Sequence, residues 1–250
     1  MVGAHPDDAE FHAGGLMISQ AARGSQIRIL SLTDGSAGHQ SMDRTALAER
    51  RALEAKASAD QIPAALEIWD EPDGELVPSL ENRSRLIGAI RQFRPDLLVT
   101  HRTNDYHPDH RATALLVQDA CYMLRVPNVV PEVPALAQDP VVLSTADFFT
   151  RPLPFQADVV VGMDAEFEAV IDLLSCHQSQ VFEWLPHITD SPIDGEPRDW
   201  LKRFYGARPR ALAKRHSPGF TYAEAFEISE YGRRMPAEEI QRRLGSPLMA

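Results

Sequence analysis

Two tetrapeptides in this chain carry side chains that can do chemistry: His5-Pro6-Asp7-Asp8 near its start and His107-Pro108-Asp109-His110 in its middle. Each sets imidazole beside carboxylate around a proline. Imidazole nitrogen and carboxylate oxygen make a zinc-like ligand set, and three protein ligands leave one coordination position for water. Zinc lowers the pKa of that water to about 7, which makes it a nucleophile at neutral pH. A carboxylate beside such a water can accept its proton, and an imidazole across from it can donate one. Taken singly, either tetrapeptide reads equally well as a proline turn opening a helix, with Asp8 capping free backbone N–H groups in the first case.

The surrounding pattern decides between these readings by placing both tetrapeptides alike. Met1–Ala4 is a stub of apolar strand, and helical spacing runs through His12–Arg23 across Gly14-Gly15. Gln26–Thr33 reads as a strand closed by Asp34-Gly35, and Thr45–Ile62 as a helix ended by Pro63. Leu66–Trp69 is a short strand, Leu80–Phe93 a helix, Asp96–His101 a buried strand and His110–Arg125 a helix. Val126–Pro154 is Pro-rich, with one strand near Val141–Phe148; Ala157–Met163 is a late strand leading into helix Ala165–Ser179. Alternation of this kind implies an α/β fold with βαβ units and right-handed crossovers. In an open parallel sheet, ligands bind beyond the carboxyl ends of the strands where strand order reverses. For the order 3-2-1-4-5, strands 1 and 4 meet at that reversal, and both tetrapeptides converge on one crevice.

The chain has 250 residues, with 25 Lys+Arg against 36 Asp+Glu, a formal net charge of −11. With 44% hydrophobic and 24% charged residues it is neither a disordered acidic chain nor a low-complexity one. The negative balance argues against nucleic acid, whose phosphates need a basic face. No apolar run of about 18 residues exists to span a membrane. Cys121 and Cys176 are too few for a disulfide framework and point to a reducing cytoplasm. One domain is the expectation for residues 1–250, less regular from about residue 181. The shortness of the first strand suggests that the native chain begins further upstream.

Ala4-His5-Pro6-Asp7-Asp8-Ala9-Glu10, Gly14-Gly15 and His107-Pro108-Asp109-His110 together resemble the LmbE-like (PIG-L) family of zinc-dependent N-deacetylases. Thr33-Asp34-Gly35, Arg51-Ala52-Leu53-Glu54, Asp73-Gly74-Glu75-Leu76, His177-Gln178-Ser179-Gln180 and Tyr222-Ala223-Glu224-Ala225-Phe226 extend the resemblance over residues 1–226. It implies a Rossmann-like three-layer sandwich with a mostly parallel sheet. It also implies hydrolysis of an N-acyl group, usually N-acetyl, on an amino sugar or glycoconjugate. Carried over by position, His5, Asp8 and His110 would bind zinc, although the same ligands also admit another divalent metal. Asp7 would be the general base on the water. His107 would stabilise the oxyanion or protonate the leaving amine, with Asp109 as its orienting partner.

The remaining residues carry two readings each. Arg51 could bind substrate or pair with Glu54 along its helix. Asp73 is a turn former or a substrate contact, and Tyr106 reaches the oxyanion or lines the rim. His177 and Gln180 read mainly as a helix C-cap, and His12, His39, His101, His187 and His216 as surface or capping residues. The basic stretch Arg198–Arg215 reads as a solvated face or a grip for an anionic part of a substrate. The sequence is also compatible with a homo-oligomer. Two other functions compete: a nucleotide-using transferase, which the missing GxGxxG after the first strand disfavours, and a non-catalytic metal-binding module, which Asp7 and His107 exceed.

Overall fold

The computed structural model describes residues 1–244. The first half of the chain runs β1 (Val2–Gly3), α1 (Asp8–Ala22), β2 (Arg28–Ser31), α2 (Arg44–Gln61), β3 (Ala65–Ile68), α3 (Leu80–Phe93), β4 (Leu97–Thr100) and α4 (Pro108–Met123). It continues with β5 (Val141–Thr145), β6 (Val159–Gly162), α5 (Phe167–Cys176), α6 (Leu185–Ile188), α7 (Pro197–His216), β7 (Ala223–Ile228) and α8 (Ala237–Leu244). A π-helical turn, Ser179–Trp184, leads into α6.

Helix ends follow local chemistry. Asp43 and Ser79 cap α2 and α3 by accepting the N–H groups of Ala46 and Asn82. Helix α3 stops at Arg94, whose positive φ of 56° and following Pro95 prevent continuation. Helices α1 and α4 begin earlier than the apolar spacing indicates, at Asp8 and Pro108, and the His107 side chain caps α4 by accepting the Asp109 N–H. Both tetrapeptides are therefore helix starts as well as chemistry.

β1, β2 and β3 pair in parallel, as do β4 and β5. β4 packs beside β1, which extends the strand sequence to β3-β2-β1-β4-β5-β7-β6. β7 runs antiparallel to both β5 and β6, and the sequence reading had no strand there. Alternate residues of β2 face opposite layers: Leu30 packs with Leu86 and Leu116 of α3 and α4, Ile29 with Met17, Ala59 and Leu173 of α1, α2 and α5. The chain is an α/β structure with a mostly parallel sheet between helical layers.

Helix α1 is kinked at Ala13 (φ −146°), and its second half starts afresh at Gly14-Gly15. Glu224 of β7 caps that new start, each carboxylate oxygen accepting at 2.8 Å from Gly15 or Leu16 N–H. A Cβ on Gly15 would stand 2.8 Å from Met163 Cβ, so only glycine lets helix and strand approach. The basic stretch lies on α7, whose other face buries Trp200, Leu201 and Tyr205 against α5.

Candidate metal centre

His5 follows β1 by two residues, and His101 follows β4 directly with His107 and His110 beyond it. Side chains of three residues meet there. His5 Nδ1 lies 3.3 Å from His110 Nε2 and 3.6 Å from Asp8 Oδ2, and His110 Nε2 lies 3.3 Å from Asp8 Oδ1. A tetrahedral ion with bonds of roughly 2.0–2.1 Å has ligand–ligand edges of about 3.3–3.4 Å. Two ring nitrogens facing each other at such a distance share one proton or bind one cation between them. The residues present fit a divalent metal.

The outward nitrogens fit as well. His5 Nε2 lies 3.1 Å from Asp73 Oδ1 and 3.3 Å from Asp109 Oδ2, and His110 Nδ1 lies 3.0 Å from Asp105 Oδ1. A carboxylate behind each imidazole fixes the ring and makes its inner nitrogen more basic. Asp8 is fixed through Oδ2, which accepts at 2.8 Å from the Ala4 and His5 N–H groups and lies 3.0 Å from His101 Nε2. This ties the turn between β1 and α1 to the strand end of β4.

Asp7 points elsewhere. It sits at φ 108°, a left-handed conformation that costs a non-glycine residue about 1–3 kcal/mol, and its side chain caps nothing. Its Oδ2 lies 3.0 Å from Arg51 Nη2; Nη1 of the same guanidinium donates to Gly35 O at 2.9 Å, and Nη2 also to Pro6 O. Arg51 is buried and does not pair with Glu54, which instead holds Arg50 and Ser179. Burial pushes Asp7 up to about 6; Arg51 opposes this, and the Asp8 charge adds to it. Such a carboxylate is a base near neutral pH.

His107 stands edge-on to His5, ring centroids 4.5 Å apart. Its Nδ1 accepts the Asp109 backbone N–H at 3.2 Å, which leaves the proton on Nε2 as a free donor. Burial, then His5 and His110, bring His107 down to about 4, so the ring is neutral at pH 7. The Asp109 carboxylate turns away from this ring: it accepts Gly74 N–H at 2.7 Å and backs His5. Tyr106 is exposed on the rim, its ring 5.3 Å from that of His110.

Several participants escape a reading of motifs. His101 is fully buried, stacked on His110 at 3.9 Å between centroids, and is no surface residue. His12, four residues after Asp8 and on its helix face, stands at 5.4 Å from His101. His12, His101 and His110 form a second group close enough to hold a metal, as do His5, His107 and His110, and His5, Asp73 and Asp109. Asp73 and Asp105 come from turns whose polar composition gives no hint of a histidine partner. His177 does end α5, but its ring is buried 3.2 Å from Glu10 Oε1.

Residues 1–121 match the family model described as PIG-L: GlcNAc-PI de-N-acetylase. That match spans just under half of the chain. It is 28% identical over 192 residues to diacetylchitobiose deacetylase of Thermococcus kodakarensis, covering 74% of this chain and 72% of that protein. It is also 27% identical over 128 residues to 4-oxalmesaconate hydratase of Pseudomonas putida, covering 48% of this chain and 50% of that protein. The solved structure of N,N'-diacetylchitobiose deacetylase from Pyrococcus horikoshii superposes with a TM-score of 0.74 at 21% identity, over 96% of this chain and 84% of that one. That likeness shows the fold.

Proposed function

We propose that this protein is a zinc-dependent N-deacetylase of the PIG-L kind, acting on an N-acetylated amino sugar or related glycoconjugate. The observation that carries the proposal is the triangle of His5 Nδ1, Asp8 and His110 Nε2, with a carboxylate behind each imidazole. The family match and the diacetylchitobiose deacetylase relative supply the reaction class. A divalent metal held by these three residues supplies Lewis acidity and water activation. The chain's own groups do the rest. Asp7, held by Arg51, accepts the proton of the attacking water, and His107 Nε2–H donates to the oxyanion that forms from the acetyl carbonyl. The Asp7 proton then passes to the departing amine. Asp109 acts through His5, and Tyr106 packs against the substrate from the rim. Cys121 and Cys176 are unpaired, which suits a cytoplasmic setting.

The test is metal analysis of the purified protein beside a screen of N-acetyl amino sugars for free amine. Stoichiometric zinc and amine release are expected; a protein with neither defeats the proposal. The hydratase relative motivates a second reading, in which the same water adds across a carbon–carbon double bond. Loss of enoate absorbance without amine release from any amide would select it.

A further inference from the structure

A carboxylate can bind a cation through either oxygen, and for Asp8 the groups around it decide which. Its Oδ2 lies 2.8 Å from the Ala4 and His5 N–H groups and 3.0 Å from His101 Nε2, whereas Oδ1 stands 3.3 Å from His110 Nε2. An oxygen that accepts three N–H groups has no lone pair left for a metal, which leaves Oδ1 for that purpose. The two backbone donors belong to the turn that carries Asp8. His101 comes from the end of β4, 93 residues away in the chain and outside both tetrapeptides.

The surroundings of His101 fix where its proton sits. The ring is buried, and Nδ1 has no hydrogen-bond partner among the described residues. A proton on Nδ1 would find no acceptor, and a bare Nε2 would face a carboxylate oxygen at 3.0 Å with lone pair against lone pair. The proton is therefore on Nε2 and is donated to Asp8 Oδ2. Ala4 N stands 3.2 Å from the same nitrogen but has Oδ2 as its shorter acceptor. The flat face of His101 lies on His110, with centroids 3.9 Å and planes 9° apart. One side chain thus touches two of the three metal-binding candidates, the carboxylate by its edge and the imidazole by its face. His12, with Nε2 4.0 Å from Asp8 Oδ1, is too far away to hold that carboxylate.

We propose that His101 is a positioning residue of the metal centre, whose Nε2–H holds Asp8 so that Oδ1 is presented before a metal arrives. The proposal rests on the reading of His5, Asp8 and His110 as metal ligands, but not on the identity of any substrate. Three variants separate the hydrogen bond from the ring. His101→Gln keeps an N–H donor at a similar reach and removes the ring. His101→Phe keeps a ring against His110 and removes the donor, and His101→Ala removes both without adding volume. Zinc affinity is read by competition with a chromophoric chelator, and melting curves of the metal-free proteins show which variants fold. His101→Phe and His101→Ala are expected to bind zinc roughly 10–100-fold more weakly than wild type, the usual worth of a group behind a metal ligand. His101→Gln should recover most of that loss. Cobalt(II) should give the same visible spectrum in wild type and His101→Gln, because the ligands are unchanged. Weaker binding in the two donorless variants with recovery in His101→Gln sustains the proposal even if no amide is hydrolysed. Equal affinity in wild type and the donorless variants, or no recovery in His101→Gln, overturns it while leaving the metal centre standing. A changed cobalt spectrum in His101→Gln makes His101 a ligand itself and also overturns it. A wild type that binds no zinc overturns the metal centre together with the proposal.

Discussion

Arg51 Nη2 stands 3.0 Å from Asp7 Oδ2, while Nη1 of the same guanidinium donates to the Gly35 carbonyl at 2.9 Å. One buried cation from α2 thus fastens two loops, the turn after β1 and the turn after β2, to each other. Lysine cannot reproduce two contacts from one rigid fork. Arg51→Lys should keep its zinc and lose kcat by roughly 10²-fold, the effect of an ångström-scale misplacement of a reacting group. Gly35→Ala tests the same contact from the other side. A Cβ there would stand 2.5 Å from Arg51 Nη1, at a φ of +68° that already disfavours alanine. It should lose rate similarly and melt lower. Full activity in either variant, measured beside metal content, removes Arg51 from the positioning of Asp7.

Asp7 and Asp8 are adjacent but face different partners, so their substitutions should separate. Asp8 offers Oδ1 toward His110 while Oδ2 is held by two backbone N–H groups. Asp8→Ala should lose zinc and activity together. Asp7→Asn should retain zinc and lose rate by about 10²–10⁴-fold, the usual worth of a general base. Elemental analysis beside turnover decides this. A zinc-free Asp7→Asn with a zinc-loaded Asp8→Ala would reverse the two assignments.

Chelation should stop catalysis without unfolding the protein. The apolar clusters on both faces of the sheet are built from residues remote from the metal ligands, such as Leu86, Leu116, Met17 and Leu173. A metal present at a hundredfold excess over its Kd adds about 2.7 kcal/mol by mass action. For a chain of this size that is a fall in Tm of about 5–11 °C on its removal. Loss of far-UV circular dichroism at room temperature would mean that the metal is structural instead.

Most helices and the parallel strands were legible because they repeat apolar residues at helical or strand spacing, as in Leu80–Phe93, which matches helix α3 end to end, whereas α7 was read only as a basic stretch. The candidate site was legible only where the proposed ligands sit close together in sequence. His5 and Asp8 share one turn and His110 lies in a tetrapeptide of similar composition, and the family resemblance picks these three out as a proposed ligand set. His101 is a lone histidine at the end of an apolar strand, and His12 a lone histidine on a helix. Neither has a neighbour in sequence to mark it, and only the adjacency of β1 and β4 brings them to Asp8. The capping role of Glu224, named only within a resemblance segment, was hidden for the same reason. Its partner Gly15 is 209 residues away, and contacts at that range leave no local spacing to read.

Glu224 offers the last prediction, on stability against pH. Burial lifts its carboxyl from the ordinary 4.5 to about 7, although the Gly15 and Leu16 N–H groups favour the ionised form and oppose the lift. The folded protein therefore holds this proton more tightly than the unfolded chain does. Between about 4.5 and 7 the native state binds more protons than the unfolded state, so this group's contribution to stability falls as pH rises. The limiting slope is about 1.4 kcal/mol per pH unit. Glu224→Gln should be less stable than wild type at acid pH, because the amide nitrogen cannot accept from one of the two backbone donors. It should also lose the slope. Denaturant titrations at pH 5, 6, 7 and 8 read the difference between the two proteins, which cancels titrations elsewhere. The wild-type advantage should shrink toward pH 8; an advantage that grows with pH would show that the two backbone donors outweigh burial and hold Glu224 ionised.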